Sequence, residues 1–214
     1  MPDFVFTLIT DSGDTSDARN GVLQTIYWTA AACLELIKED MLMFSFRIAD
    51  KADVDAVFSL MEQVVHSLAD PSLFIPETRQ SLERHLKEEG MILLAEEEQL
   101  AGYLMVRFPG NAEDNLAEDA GLSAQDALRC AHMESVVVHP DFRGRGLQKL
   151  LLEQAERLLP EGIGFALATV APENHASLTS FLRMGYSIAD TKMKYGGKMR
   201  HIMIKKVTHT QDQK

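Results

Sequence analysis

Cysteine is almost missing from this chain: Cys33 and Cys130 are the only two, and they lack metal-ligand spacing. No disulfide framework or metal is expected, and a reduced, cytoplasmic setting fits. Positive charge is also short, with 21 Lys and Arg against 32 Asp and Glu and a formal net charge of −11. That balance argues against a general nucleic-acid binder. No apolar run suits a membrane. The stretch 23–37 is too short to span a bilayer, carries Gln24 and Glu35, and reads as an amphipathic helix docked on the domain or a partner. The opening residues, MPDFVFTLITDSGD, are acidic where a secretory signal would be basic. Internal repeats and low-complexity segments are absent.

What is present is a core's worth of apolar residues, 46% of the chain, in an alternating order of elements. Residues 1–42 read as an N-terminal extension with one amphipathic helix, residues 43–208 as the main domain, and 209–214 as a polar tail. FSFRIAD is a first strand. Val54, Val57, Phe58, Met61, Val64, Val65 and Leu68 follow helical spacing with one buried face. Thr78 is placed to cap a second helix that runs to Gly90. MILLAEEEQLAGYLMVRF gives two strands joined by a polar turn at 96–99. A long acidic stretch, 109–128, interrupts the pattern; loops of that length are usually functional or disordered. AHMESVVV is another strand, then come a helix at 147–159, the strand GFALATV, a helix capped by Asn174, and two strands around KYGGK. The order βααββ, then βαβαββ, is a mixed α/β architecture.

The most informative stretch is HPDFRGRGLQ, residues 139–148, which stands where an apolar strand hands over to a helix. Gly144 and Gly146 remove side chains there, so backbone N–H groups are free to face a ligand, and the start of a helix favours anions. A solvated basic turn that only caps the helix is the plain alternative. A Walker phosphate loop is excluded, since no Gly-Lys-Ser/Thr follows.

This order, with Arg143-Gly144-Arg145-Gly146-Leu147-Gln148 after the strand, resembles the GNAT acetyltransferase superfamily, whose acetyl-CoA motif is [Q/R]-x-x-G-x-[G/A] at a strand-to-helix turn. Gln148 departs from the small residue of that motif. Asn174, Ser177, Phe181 and Gly185-Tyr186 stand where family members carry Asn, a small residue, Tyr and Gly-Phe. The resemblance covers roughly residues 43–207, and VHPDFRGRGLQ with KYGGKMR is similar to a bacterial subset. It implies a mixed, mostly antiparallel central sheet flanked by helices, with acetyl-CoA as co-substrate. The pyrophosphate is expected on the N–H groups of 144–149, Lys149 included. The pantetheine arm is expected along Val136, Val137 and Val138, with Asn174 near the thiol end and Ser177 and Phe181 also among the cofactor-binding residues.

The implied chemistry is direct acetyl transfer to a primary amine, which requires a base for the amine's proton. Glu134 is the candidate. Strand alternation puts His132, Glu134, Val136 and Val138 on one face, with His132 about 7 Å from Glu134 along the strand. His132 then orients the carboxylate or relays a proton through water. A structural bond from Glu134 to the acidic stretch is the plainer reading. The general acid is open: Phe181 replaces the usual tyrosine and has no proton to give, which leaves Tyr186, Tyr195 or water. The acidic stretch (Glu113, Asp114, Glu118, Asp119) suits a cationic acceptor, and the basic hairpin (Lys192, Lys194, Lys198, Arg200) suits an acidic one. The expected partner is a small-molecule or peptide amine, without nucleic acid or membrane; a homodimer is compatible. A second reading, from a different class, is a non-catalytic acyl-CoA-binding sensor or interaction module.

Overall fold

The helical stripe that begins at Val54 becomes α1 (Val54–His66), which buries Val54, Val57, Leu60, Met61 and Val64 and turns Asp55, Glu62 and Gln63 outward. These features come from a computed structural model that describes residues 44–208; the expected extension at 1–42 and the tail at 209–214 lie outside them. Thr78 starts α2 (Arg79–Arg84) by accepting the Ser81 N–H at 3.1 Å. The helix then widens into a π turn at His85–Glu89, a distortion that re-aims side chains.

The strands are β1 (Ser45–Ile48), β2 (Gly90–Glu96), β3 (Leu100–Arg107), β4 (Cys130–Val138), β5 (Phe165–Val170), β6 (Ser187–Lys194) and β7 (Lys198–Lys206). They form one seven-stranded sheet in the order β1-β2-β3-β4-β5-β7-β6. All neighbours are antiparallel except β4 and β5, which the helix α4 (Leu147–Leu158) connects. The expected fold class is therefore the observed one. One face of the sheet packs on α4 and on α5 (His175–Arg183), with Leu104, Met133, Leu151, Leu152 and Phe181 in the shared core. The other face packs on α1 and α2 through Val57, Met61, Leu82, Tyr103 and Met105. Among the described residues no helix is long and apolar enough to cross a membrane.

Two local features of the sheet create the site. Parallel pairing between β4 and β5 covers only 130–132 against 165–167. Beyond it β4 follows β3 and β5 follows β7, so the two strands part and leave an unpaired β4 edge. The second feature is a bulge: Met105 pairs with Ser135 and Val106 with Met133, which leaves Glu134 as the extra residue of β4. A bulge reverses the phase of alternation. Met133 packs in the α4/α5 core with Val136 and Val138, while Val137 packs on the α1/α2 side. The expected single face of His132, Glu134, Val136 and Val138 is thus not formed.

The acidic stretch is ordered by its own apolar residues. Leu116 and Ala117 pack on Cys130, Leu167 and Ile202. Asn115 donates to the carbonyls of Gly110 (2.8 Å) and Ala127 (3.0 Å), closing the stretch over a short helix, α3 (Ala124–Ala127).

Candidate active site

Beyond the end of β4, Gly144 (φ 79°) and Gly146 (φ 74°) turn the chain into α4 through a conformation that disfavours side chains. A Cβ at either position would meet no atom within 4 Å, so the turn opens onto free space. Among the described residues no acceptor meets the N–H groups of Gly144, Gly146, Leu147 and Gln148. Lys149 already donates its N–H to the Gly146 carbonyl at 3.0 Å, so the free set stops one residue short of the expected one. Open glycines, unpaired N–H groups and a helix start fit a pyrophosphate.

The side chains of this turn point elsewhere. Arg145 forks onto Glu97 (2.9 and 3.1 Å) and lies over the rings of Phe44 and Phe142. Arg143 donates to Ser67 Oγ at 3.0 Å, and Lys149 pairs with Glu153 at 3.3 Å. The Gln148 amide donates to Ser177 Oγ at 3.1 Å, which ties α4 to α5 and keeps the long side chain off the turn. That explains how the motif tolerates glutamine. Asn174 and Ser177 belong to the same corner, since Asn174 Oδ1 caps α5 by accepting the Ser177 N–H at 3.1 Å.

Behind the parting strands lies a cavity of about 690 Å³, walled by the α1–α2 connection, the π turn, β4, β5 and the β6–β7 hairpin. Glu134 sits on its wall. Its Oε2 faces His85 Nε2 at 2.8 Å, and its Oε1 accepts from Arg107 Nε at 2.5 Å. Burial favours the neutral acid, but the His85 bond and the Arg107 charge outweigh it and hold the carboxyl below its ordinary 4.5. His85 has acceptors at both ring nitrogens, Glu134 and the Ser81 carbonyl (2.8 Å). Burial opposes its charge, yet those two acceptors outweigh burial and raise it above 6.5. Each partner thus favours the charged form of the other, imidazolium on carboxylate.

His132 is different. Burial first, and then the Arg107 charge, lower its pKa to about 4, so it is neutral. Its Nδ1 faces an Arg107 N–H (3.4 Å), and its Nε2 faces Asn115 Oδ1 (3.2 Å) and the Leu116 N–H (3.2 Å). It underpins the acidic stretch. Its Nδ1 lies 3.9 Å from Glu134 Oε1, too far to hydrogen-bond. Arg107 and His85 orient the carboxylate, and neither was singled out from the sequence. Arg107 faces His132 across the β3–β4 pairing, a neighbour visible only once the register is known. No spacing signal pointed to His85.

Two other expectations resolve here. Phe181 is 2% exposed and packs edge-on to Tyr186, 5.0 Å between ring centres, so both belong to the core rather than the cavity wall. Tyr195 lines the cavity, its hydroxyl 3.0 Å from Thr169 Oγ1. Enclosure of that end raises its pKa above 10.0, against the Thr169 bond, so it stays protonated. The two opposed charge runs meet each other: Asp119 receives Lys192 (3.0 Å) and Lys194 (2.5 Å).

Comparison with known proteins agrees with this geometry. The sequence profile of the Acetyltransferase (GNAT) family matches residues 60–186, from α1 through the glycine turn to the end of α5. No curated protein matches the sequence. Among solved structures, the ribosomal-protein-S18-alanine N-acetyltransferase from Escherichia coli is similar with a TM-score of 0.59 at 16% identity, over 78% of this chain and 96% of that one. YncA from Salmonella typhimurium, solved with its cofactor acetyl-CoA, gives 0.56 at 20% identity, over 78% and 95%. Ard1 from Thermoplasma volcanium gives 0.57 at 14% identity, over 78% and 99%. At such identities the structures speak for the fold alone; the profile covers more than half of the chain and speaks for the family. This chain belongs to the GNAT acetyltransferase family, an acyltransferase with acetyl-CoA as its co-substrate.

Proposed function

We propose that the protein transfers the acetyl group directly to a primary amine, with Glu134 receiving the amine's proton. The observation that carries this reading is the run of β4: its far end leads into the open glycine turn, and its bulge holds an ionised carboxylate on the cavity wall. Acetyl-CoA supplies an activated thioester. The free N–H groups of Gly144, Gly146, Leu147 and Gln148 hold its pyrophosphate, and the unpaired edge of β4 beside Val136 and Val138 receives the pantetheine arm. An N–H of that edge also steadies the negative charge that develops on the carbonyl oxygen.

A carboxylate held below 4.5 is a weak base for a free ammonium. The acceptor attacks as the free amine, its ammonium proton having gone to solvent, and Glu134 suffices during transfer because the nitrogen's next proton becomes strongly acidic as the C–N bond forms. Glu134 takes that proton while the C–S bond breaks. The Tyr195 hydroxyl, raised in pKa and facing the cavity, is the group we assign to protonate the departing thiolate. His132 acts through Arg107 and the acidic stretch, as a positioning residue.

The test is thiol release from acetyl-CoA against a panel of primary amines. Turnover on at least one amine sustains the reading. Tight acetyl-CoA binding without release on any of them would favour the non-catalytic sensor, for which the loss of tyrosine at Phe181 is the supporting feature.

A further inference from the structure

One cavity wall carries a buried charge that nothing in the described chain neutralises. Arg200, on β7, is 5% exposed and lines the cavity. Its guanidinium donates to the carbonyls of Met199 (2.9 Å) and Ser72 (2.8 Å). No carboxylate among the described residues pairs with it. The other cations on the wall all have one: Arg84 has Glu89 (3.8 Å), Arg107 has Glu134 and Asp114, Lys194 has Asp119, and His85 has Glu134. Carbonyls satisfy hydrogen bonds but carry only partial charge, and a guanidinium offers five N–H donors in all. A buried cation without a counter-ion is costly to keep.

The wall holds the opposite case as well. Glu77 accepts from Ser81 Oγ at 2.7 Å, and no cation among the described residues pairs with it. The remaining charges on the wall are paired, Lys194 with Asp119 among them. The cavity therefore presents one cation without a counter-ion and one carboxylate, Glu77, that favours the charge on His85 but makes no direct ion pair among the described residues, not a surface of either sign. A purely cationic acceptor would leave Arg200 unmet, and a plain alkylamine would leave it buried beneath apolar atoms.

Resting on the transfer reading above, we propose that the acceptor is an acidic amine of amino-acid type. Its carboxylate lies on Arg200, through the charge-assisted hydrogen bonds a guanidinium fork makes. Its amino group enters beside Glu77, loses the ammonium proton to solvent and meets Glu134 as the free amine. Arg200 is then the residue that selects the acceptor.

The same arginine also fastens the Ser72 turn to β7, so the test must separate selection from support. Thiol release is measured with saturating acetyl-CoA for ω-amino acids of three to six carbons, for n-alkylamines of equal length and for the matching diamines. The amino acids should be preferred in kcat/KM by about tenfold or more. Arg200→Gln keeps amide donors for the Ser72 and Met199 carbonyls and removes the charge. It should bring the preference towards one while acetyl-CoA affinity holds. A structural role alone would depress every acceptor alike. Preference for alkylamines or diamines, or an acid preference that survives Arg200→Gln, would overturn the inference. If no amine turns over, the transfer reading falls by itself, and calorimetry of the same compounds into CoA-loaded protein decides this one. Binding of the amino acids alone, lost in Arg200→Gln, sustains it; equal or absent binding rejects it.

Discussion

The glycine turn and the cavity around Glu134 lie along one strand and are built by opposite means. The turn is made of backbone from a few consecutive residues, and its long side chains are occupied elsewhere, on Glu97, Ser67 and Ser177. The cavity is made of side chains brought from all parts of the domain: Glu134 meets His85 across 49 residues and Arg107 across 27. Backbone N–H groups recognise phosphate whatever the neighbouring residues are. A side-chain cluster changes with each substitution. On the proposed reading, the constant co-substrate meets the part that a substitution hardly alters, and the acceptor meets the part that a substitution retunes.

The turn should fail most completely at Gly146. Gly146→Val forces a β-branched residue into φ 74° and projects carbon into the space left for the ligand. Weakened N–H contacts and the blocked approach of the phosphate should lower acetyl-CoA affinity about 100-fold or more, while left-handed strain of about 1–2 kcal/mol lowers the stability of free and bound protein alike. Calorimetry reads this directly, and unchanged affinity would move the cradle elsewhere.

In the cavity the largest effect should come from Glu134→Gln, which keeps shape and removes the proton acceptor. Turnover should fall by about 10²–10³ with acetyl-CoA affinity intact. Because the Glu134 carboxyl is held below 4.5, the wild type keeps its base down to that pH. Loss of rate on the way there follows protonation of the amine. As pH rises, more amine arrives deprotonated for both proteins, so both rates should rise while the deficit of the variant persists. His85 should titrate lower in Glu134→Gln, since burial then acts with one counterweight fewer. Wild-type turnover across the pH range, with chemistry limiting, would assign the proton to water or another residue.

This contrast also explains what the sequence disclosed. The glycine turn, the stripe of α1 and the caps at Thr78 and Asn174 are local, so spacing alone reveals them. Seven strands in the expected order along the chain followed from the same periodicities. The bulge at Glu134 is a property of two strands in register, and one strand's alternation does not contain it. The same holds for His85 and Arg107, and for the charge runs, which read as rival acceptor signals until Asp119 is seen between Lys192 and Lys194. Tyr186 and Tyr195 were equivalent by spacing. Packing separates them, one against Phe181 and the other on the cavity wall.

Tyr195→Phe should have a smaller effect than Glu134→Gln. The thiolate of CoA is weakly basic and accepts a proton from water when no acid is supplied. A loss of about tenfold in turnover, below the usual worth of an acid, is the expected outcome, with affinity for acetyl-CoA unchanged. No loss in single-turnover measurements would return the role to water.

The smallest effect should come from Gln148→Ala, the substitution that moves the turn towards the small residue of the family motif. It deletes one neutral hydrogen bond, to Ser177 Oγ, at a half-buried site, which costs about 1 kcal/mol. Alanine's better helix propensity returns a few tenths of that. The melting temperature should fall by about 2–4 °C, as expected for a domain of this size. Acetyl-CoA affinity should stay within about threefold, because the Gln148 N–H remains in place and α4 still starts at the same residue. A loss of tenfold or more would mean that the Gln148 amide touches the co-substrate, and the turn would then depend on side chains as the cavity does. An unchanged affinity with a lowered melting temperature would fix the role of Gln148 as the clasp between α4 and α5.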